Sequence, residues 1–347
     1  MTDPLVPDPA PAPPPAAPPA SASVHLPEAR AEEDAELRTA MQRVRAEVAK
    51  AVVGQDGTVT GLLVALLARG HVLLEGVPGV AKTLVVRAFS RALGLDTTRV
   101  QFTPDLMPGD VTGSLVYDAS AGEFEFRPGP VFTNILLADE INRTPPKTQA
   151  ALLEAMEERQ VSSDGTSRPL PDPFLVAATQ NPVEHEGTYS LPEAQLDRFL
   201  MKLVVGMPER DAEVSVLRRH AAGFSPRELT DLAAVVTGDE IVAAQRAAAA
   251  VEVTDDVLGY VVDLARATRQ APSVQLGASP RASTALLAAA KAWAWLNGSS
   301  AVTPDHVQTM LVPAWRHRLR LRPDAEMEGV SADAVLSSVL QQTRVPI

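Results

Sequence analysis

The sequence contains no cysteine, and it has no apolar run long enough to cross a bilayer. Without cysteine among its 347 residues, the chain can form neither disulfides nor thiolate metal sites, and it suits a reducing compartment. The longest apolar run, residues 62–68, is far shorter than the ~20 residues that a membrane-spanning helix needs. These absences predict a soluble, cytoplasmic protein with no membrane partner.

The chain also lacks a basic excess. It carries 31 lysines and arginines against 43 aspartates and glutamates, which gives a formal net charge of −12. This balance disfavours a surface that gathers nucleic-acid phosphates, although a local basic patch is compatible with it. The six histidines are scattered, and none lies at ligand spacing from carboxylates, so we expect no protein-only metal site.

Proline is concentrated at the amino terminus, where it alternates with alanine and serine. Such a composition cannot bury enough apolar surface to offset the entropy cost of ordering. We therefore expect a disordered tail over residues 1–31, with a proline-rich docking segment as the alternative. Two ordered domains are expected to follow, over residues 32–207 and 208–347.

The first ordered domain alternates apolar runs with helical patterns. Helical patterns cover residues 36–52, the stretch after a glycine-rich break at 53–57, and residues 82–93 and 146–158. Five apolar runs have the length of buried strands, at residues 72–74, 100–102, 135–138, 174–178 and 199–205. This alternation predicts an α/β fold whose parallel sheet is covered by helices on both faces.

Two hairpins and a second domain complete the predicted architecture. One hairpin pairs residues 114–117 with 123–126, and the other pairs 160–163 with 166–170 around an Asp-Gly turn. After about Pro208 the strand patterns stop, which predicts a smaller, all-helical domain. Its helical patterns cover residues 211–222, 239–250, 254–269, 280–296, 304–311 and 331–341.

A glycine-rich loop between the first strand and a helix predicts phosphate binding. Backbone N–H groups and the helix N-terminus of such a loop cradle phosphates. Lys82 would place a charge near the transferred group, and Thr83 would ligate Mg²⁺. Ala81 replaces the usual glycine, and its methyl group is expected to require a negative φ. The nucleotide-binding residues predicted here are Gly76, Val77, Pro78, Gly79, Val80, Ala81, Lys82, Thr83 and Leu84.

The apolar strand at residues 135–138 ends in two carboxylates, Asp139 and Glu140. A charged pair at the end of a buried strand is costly unless it serves a cation or a water molecule. Asp139 would hold the magnesium shell, and Glu140 would orient and activate the attacking water. A second carboxylate such as Glu140 serves hydrolysis, which needs an activated water, better than it serves a kinase-like transfer. The phosphate loop and the acid pair together therefore predict NTP hydrolysis.

Three further residues complete the candidate catalytic set. Asn181 ends the next apolar strand and is the candidate for holding the attacking water together with Glu140. Arg198 precedes the last strand, and Arg281 follows the helix start Ser279-Pro280. An arginine in a first helical turn opposes the helix dipole, so a nearby anion would explain Arg281 better than helix stability does. A surface salt bridge is the alternative for each arginine.

Taken together, these motifs resemble the MoxR family of AAA+ ATPases. The resemblance rests on residues 75–83, 138–143, 146–158, 178–182 and 191–199, and it covers the chain from about residue 36 to the end. Members of that family also carry alanine in place of the last loop glycine. The resemblance implies a P-loop AAA+ core with a helical lid, and it implies ATP and Mg²⁺ as cofactors.

The same resemblance implies roles and partners. Val53 and Gly54 would lie against adenine, Asn181 would be sensor 1, Arg198 the arginine finger offered to a neighbouring subunit, and Arg281 sensor 2 on the lid. The two hairpins would be insertions that face the pore of a ring. A homo-oligomer, with a hexameric ring as the first guess, would act as a chaperone-like motor on a protein client, often one with a von Willebrand A domain.

One basic stretch leaves other functions open. It consists of Arg316, His317, Arg318, Arg320 and Arg322. Its alternation with leucine predicts an extended segment that presents arginines on one side, to a neighbouring subunit or an acidic partner. A nucleic-acid-linked motor and the motor subunit of a metal chelatase are the alternative functions. A pure nucleotide-binding scaffold is disfavoured, because both carboxylates and the asparagine are present.

Overall fold

A computed structural model of the protein describes residues 28–120, 122–182, 188–223, 225 and 229–346. The strands are β1 (Val72–Glu75), β2 (Thr97–Gln101), β3 (Gly113–Asp118), β4 (Glu123–Pro128), β5 (Ile135–Asp139), β6 (Gln160–Ser163), β7 (Thr166–Pro169), β8 (Leu175–Gln180), β9 (Met201–Val204), β10 (Val274–Leu276) and β11 (Arg320–Leu321). The helices are α1 (Glu28–Ala49), α2 (Asp56–Leu67), α3 (Lys82–Leu93), α4 (Pro108–Thr112), α5 (Pro146–Glu158), α6 (Glu193–Leu196), α7 (Arg210–Ala221), α8 (Gly238–Ala249), α9 (Asp255–Gln270), α10 (Pro280–Leu296), α11 (Pro304–Trp315), α12 (Pro323–Met327) and α13 (Ala332–Gln342).

The amino-terminal boundary differs from the expected one. Helix α1 begins at Glu28, whereas the sequence pattern placed the first order near Glu32 and the first helix over residues 36–52. The rest of the predicted tail, residues 1–27, lies outside the described residues. No helix of the described part of the chain is both long and apolar enough to cross a membrane.

The core of the first domain is a parallel sheet of five strands in the order β2-β5-β8-β1-β9. All five residues of β5 are buried, because helices cover both faces of the sheet. Alternate side chains of β1 therefore enter different cores. Val72 and Leu74 belong to the apolar cluster that also contains residues of α1–α3 and of the lid, and Leu73 belongs to the cluster that contains residues of α5. The predicted α/β architecture is confirmed.

The two predicted hairpins are present, as β3–β4 and β6–β7. The turn between β6 and β7 has positive φ at both Asp164 and Gly165, as an Asp-Gly hairpin turn requires. The hairpins touch each other, because the Arg168 guanidinium lies 4.0 Å from the centre of the Phe126 ring. The two hairpins are therefore neighbours in the fold.

In its described residues, the carboxyl-terminal lid is helical except for one strand pair and one isolated β-bridge, between Glu252 and Ala301. β10 and β11 pair in an antiparallel manner, so the prediction that strands stop near Pro208 is wrong for these short segments. Helix α11 also continues to Trp315 instead of ending near residue 311. The reason is tertiary: the Trp315 ring is buried and its Nε1 donates a hydrogen bond to the Ala282 carbonyl at 2.9 Å.

Two buried histidines make folding stability sensitive to acid. Burial lowers the pKa of His71 to about 4 and that of His317 to about 3, because desolvation disfavours the imidazolium form. An unfolded histidine has a pKa of about 6.5, so below that pH the unfolded chain binds more protons than the folded chain does. The contribution of these histidines to the free energy of unfolding should therefore be complete above pH 6.5, and it should be lost progressively as the pH drops toward 4.

Urea unfolding at pH 7 and pH 5 measures this effect. The difference between the two pH values should shrink in His317→Gln. It should persist in His220→Gln, a matched change at an exposed histidine of α7. An equal pH dependence in all three proteins would show that the buried imidazoles do not cause it.

Candidate active site

The phosphate loop connects β1 to α3 at the carboxyl edge of the sheet. Gly76 has no room for a side chain, since a Cβ atom there would lie 2.5 Å from the Val205 carbonyl oxygen. The Lys82 ammonium donates hydrogen bonds to the carbonyls of Gly76 and Val77, the latter at 3.2 Å. The charge of Lys82 therefore lies inside the loop, where phosphate groups would be held.

Ala81 contradicts the expectation of a negative φ. Its φ is 67° and its ψ 21°, which is the left-handed conformation, at the position that caps the amino end of α3. The loop has to reverse here so that the Lys82 side chain and the first N–H groups of α3 face the same space. The methyl group is tolerated in that conformation at a steric cost of roughly 1–2 kcal/mol.

Ala81→Gly should remove this strain. Glycine also adds conformational freedom to the unfolded chain, which offsets part of the gain, so the free energy of unfolding should rise by roughly 0.5–1 kcal/mol. The matched control is Ala222→Gly after α7, where φ is −83° and glycine should destabilise. Thermal unfolding of both variants measures the difference. Destabilisation of both variants alike would contradict the strain at Ala81.

Asp139 lies at the centre of a polar cluster that fits a magnesium ion. It is 7% exposed, and its Oδ1 accepts a hydrogen bond from Thr179 Oγ1 at 2.6 Å. Thr83 Oγ1 lies 3.3 Å from Oδ2, so the two predicted metal-holding groups meet. Oδ2 also accepts hydrogen bonds from Arg99 at 2.7 and 3.1 Å, which shows that this oxygen binds a cation. A carboxylate beside a threonine hydroxyl is a donor set that Mg²⁺ accepts.

Glu140 follows directly and is oriented by its own set of contacts. Its φ is 58°, and its backbone N–H donates to Thr179 Oγ1 at 2.9 Å. Its carboxylate accepts a hydrogen bond from Gln101 Nε2 at 2.6 Å and pairs with Arg143 Nε at 3.1 Å. Asn181 is buried just beyond β8, which lies between β1 and β5. The strand order thus brings Asn181, Glu140 and the loop to one edge of the sheet.

A cleft of about 470 Å³ adjoins the phosphate loop. It is lined by Ala51, Val52, Val53, Gln55, Gly79, Val80, Ala81, Leu84, Met207, Pro208, Glu213, Val216, Leu217, Arg219 and His220. Val53 therefore lines the cleft, whereas Gly54, with a φ of 75°, lies in the adjoining turn. Met207 and Leu217, both in the lining of the cleft, are 66% and 68% exposed. They provide apolar surface that the flat base of a nucleotide would cover.

Arg198 and Arg281 lie together, away from this cleft. Arg198 Nε is 2.6 Å from Glu157 Oε2, and Arg281 Nη1 is 3.1 Å from Glu157 Oε1. Ser279 caps α10 as predicted, because its Oγ accepts a hydrogen bond from the Ala282 N–H at 3.0 Å. The anion that we expected near Arg281 is the carboxylate of Glu157 in the same chain.

The two arginines lie at the opposite edge of the sheet from the phosphate loop. His71, just before β1, accepts a hydrogen bond from Leu200 N–H, and its ring bonds the Met156 carbonyl at 3.1 Å. Glu157 and Arg198 therefore lie near the amino end of β1, whereas Gly76 follows its carboxyl end. β1 itself spans roughly 13 Å. We name the group Glu157, Arg198 and Arg281 the arginine edge.

The basic stretch near the carboxyl terminus is not an exposed row of arginines. Arg318 is 8% exposed, pairs with Asp197 at 3.0 Å and donates a hydrogen bond to the Phe199 carbonyl at 2.7 Å. Arg316 pairs with Asp333, and Arg320 pairs with Glu193 at 2.9 Å. The expectation that all the arginines of the stretch lie on one exposed side is wrong for Arg316, which pairs within the lid, and for Arg318, which is buried. Arg318 and Arg320 fasten the lid to the segment that carries Arg198.

Several residues of the site had no signal in the sequence. Arg99 and Gln101 come from β2, and they reach the acid pair only because β2 pairs with β5. Glu157 is one acidic residue among several in α5. Pairing across strands and helices is what distinguishes these three residues, and no local pattern encodes it.

Comparison with known proteins agrees with this architecture. Residues 71–201 match the AAA family, described as the ATPase family associated with various cellular activities, and residues 266–339 match the AAA lid domain. YeaC of Bacillus subtilis is 49% identical over 86% of the chain and 92% of YeaC. Chaperone MoxR1 of Mycobacterium tuberculosis is 46% identical over 90% of the chain and 84% of MoxR1.

A solved structure has the same fold over nearly the whole chain. A protein from Cytophaga hutchinsonii, classed as an ATPase, superposes with a TM-score of 0.84 and 38% identity. The match covers 92% of this chain and 99% of that one. A parallel core with a phosphate loop and an AAA lid defines an ATPase of the AAA+ class. Its similarity to MoxR proteins over most of their length then identifies the chain as a member of the MoxR family.

Proposed function

We propose that this ATPase hydrolyses Mg²⁺-bound ATP at sites shared between the subunits of a ring, and that turnover drives remodelling or activation of a protein client. The observation that carries the proposal is the separation of the arginine edge from the phosphate loop. Arginines that lie beyond the far end of β1 cannot reach ATP held at Gly76 of the same chain. We therefore assign them to ATP held by a neighbour.

Within one site, we assign each residue a separate task. Lys82 balances phosphate charge, and Thr83 with Asp139 would hold a Mg²⁺ ion, which would neutralise charge on the phosphate oxygens. Glu140 takes the proton of the attacking water, and Asn181 holds that water in line. The cleft beside Val53 takes the base. Arg198 and Arg281 of the next subunit stabilise the charge that develops on the transferred group.

A head-to-tail contact of this kind closes into a ring or continues as a filament. A hexamer is the first expectation from family resemblance. A protein client fits the exposed aromatic pair of the β3–β4 hairpin, where Tyr117 and Phe124 lie 5.3 Å apart between ring centres. A von Willebrand A domain client and a cytoplasmic location are further parts of this proposal.

Client binding is tested with a form that binds ATP but does not hydrolyse it. Glu140→Gln loaded with ATP should retain a specific protein, whereas Lys82→Ala should retain none. The purified client should then raise the turnover rate of the unmodified ATPase. Retention of duplex DNA in a gel-shift assay at low salt, without a protein client, would favour the nucleic-acid motor instead.

A further inference from the structure

Glu157 holds both arginines of the arginine edge with one carboxylate. Each oxygen takes one guanidinium: Oε2 takes Arg198 at 2.6 Å, and Oε1 takes Arg281 at 3.1 Å. The hydrogen bond from Arg198, followed by the charges of both arginines, lowers the pKa of Glu157. The carboxylate is therefore ionised at neutral pH, and it offsets the repulsion between two cations that share one place.

The atoms used in these contacts leave other donors open. Arg198 is held through Nε, so its two Nη groups are not used in the hydrogen bond to Glu157. Within the described residues, the Arg198 side chain makes no hydrogen bond or ion pair other than the one to Glu157. A guanidinium fixed at Nε presents its terminal N–H groups as a fork, which suits phosphate oxygens. With 30% and 47% of their side chains exposed, Arg198 and Arg281 are accessible to such a group.

We propose that Glu157 is a positioning residue that holds Arg198 and Arg281 as one preorganised pair for the phosphates of a neighbouring subunit. This inference rests on the shared site proposed above. Glu157 does not itself touch ATP. It fixes the angle and the spacing of the two guanidinium groups before the subunits meet, so that no ordering is needed at the moment of reaction.

The opposite role would be an autoinhibitory one, in which Glu157 competes with phosphate for the arginines. The contact geometry favours positioning, because Arg198 is bound through Nε and its Nη groups form no hydrogen bond with the part of the chain that the structure describes. The two roles predict opposite changes in rate. Removing a competitor would accelerate hydrolysis, and removing a positioning group slows it.

Glu157→Gln keeps the shape of the side chain and removes its charge. We expect kcat to fall about 10–100-fold, since misplacement of a catalytic group by about 1 Å costs up to ~10²-fold. KM for ATP should change little, because the residues of the phosphate loop are intact. Glu157→Asp, which keeps the charge, should retain more activity. Glu158→Gln is the matched control at the exposed neighbouring glutamate.

Co-expression locates the defect on one side of the interface. With Glu140→Gln, the Glu157→Gln subunit should regain activity, because its own ATP site then receives intact arginines. With Arg198→Ala it should stay inactive, because both variants fail as arginine donors. This pattern also shows that Glu157→Gln folds and assembles.

Four outcomes separate the claims. A faster Glu157→Gln, rescue by Arg198→Ala, or inactivity with both partners would each overturn the positioning role. Pairing Arg198→Ala with Glu140→Gln is the reference, and its failure to recover activity in mixed rings would count against the shared site itself. If that reference pair recovers activity, the shared site stands, and any of the other three outcomes would contradict only the inference about Glu157.

Discussion

Lys82→Ala should weaken ATP binding, while Glu140→Gln should keep binding and lose turnover. Removing Lys82 takes away the cation within the loop formed by residues 76–83. Loss of one partner from a buried charge pair costs about 2–5 kcal/mol, so the Kd for ATP should rise at least ~30-fold. Glu140→Gln leaves the phosphate and metal contacts in place but cannot accept a proton, so kcat should fall roughly 10²–10⁴-fold.

The measurements are equilibrium binding of a fluorescent ATP analogue and steady-state phosphate release. Lys147→Ala and Glu154→Gln, both at exposed positions of α5, are the matched controls and should behave like the unmodified protein. An equal loss of ATP affinity in the Lys82 and Glu140 variants would show that Glu140 serves binding and not proton transfer.

Arg198→Ala should be nearly inactive although its own ATP site is complete. Loss of an arginine finger costs roughly 10³–10⁵-fold in rate where it is well characterised, and we expect the lower end of that range. ATP binding should stay close to normal, because Arg198 lies at the edge of the sheet opposite the phosphate loop. The matched control is Arg266→Ala, an exposed arginine of α9.

Co-expression of Arg198→Ala with Glu140→Gln should restore activity to mixed rings. An Arg198→Ala subunit then supplies Glu140, and its neighbour supplies Arg198. Differently tagged subunits, purified through both tags in sequence, guarantee that the rings are mixed. Inactivity of such rings would exclude an arginine supplied in trans.

The chemistry at the carboxyl edge of the sheet was predictable from the sequence. Asp139 ends β5, Asn181 directly follows β8, and Lys82 opens the helix after β1, so these residues could be located from strand ends and the helix start. Helices α3, α5 and α10 have the predicted bounds, because cap residues, proline and the apolar period agree at their ends.

Features that depend on distant pairing were not predictable. The contacts of Glu157 join α5, the segment before β9 and the start of α10, and no local pattern indicates that the three meet. The basic stretch was misread for the same reason, since its acidic partners Asp197 and Asp333 are distant or belong to another helix. Ala81 was mispredicted for a different reason. The preference of alanine for a negative φ is a local rule, and the geometry of the loop overrides it.

Turnover per subunit as a function of concentration tests the shared site most directly. Sedimentation velocity with ATP and Mg²⁺ would report assembly in the same samples. The account predicts that activity per subunit vanishes on dilution, in step with the loss of rings, and that the Arg198→Ala protein still assembles while remaining inactive. A monomer that hydrolyses ATP at the full rate at every concentration would contradict the account.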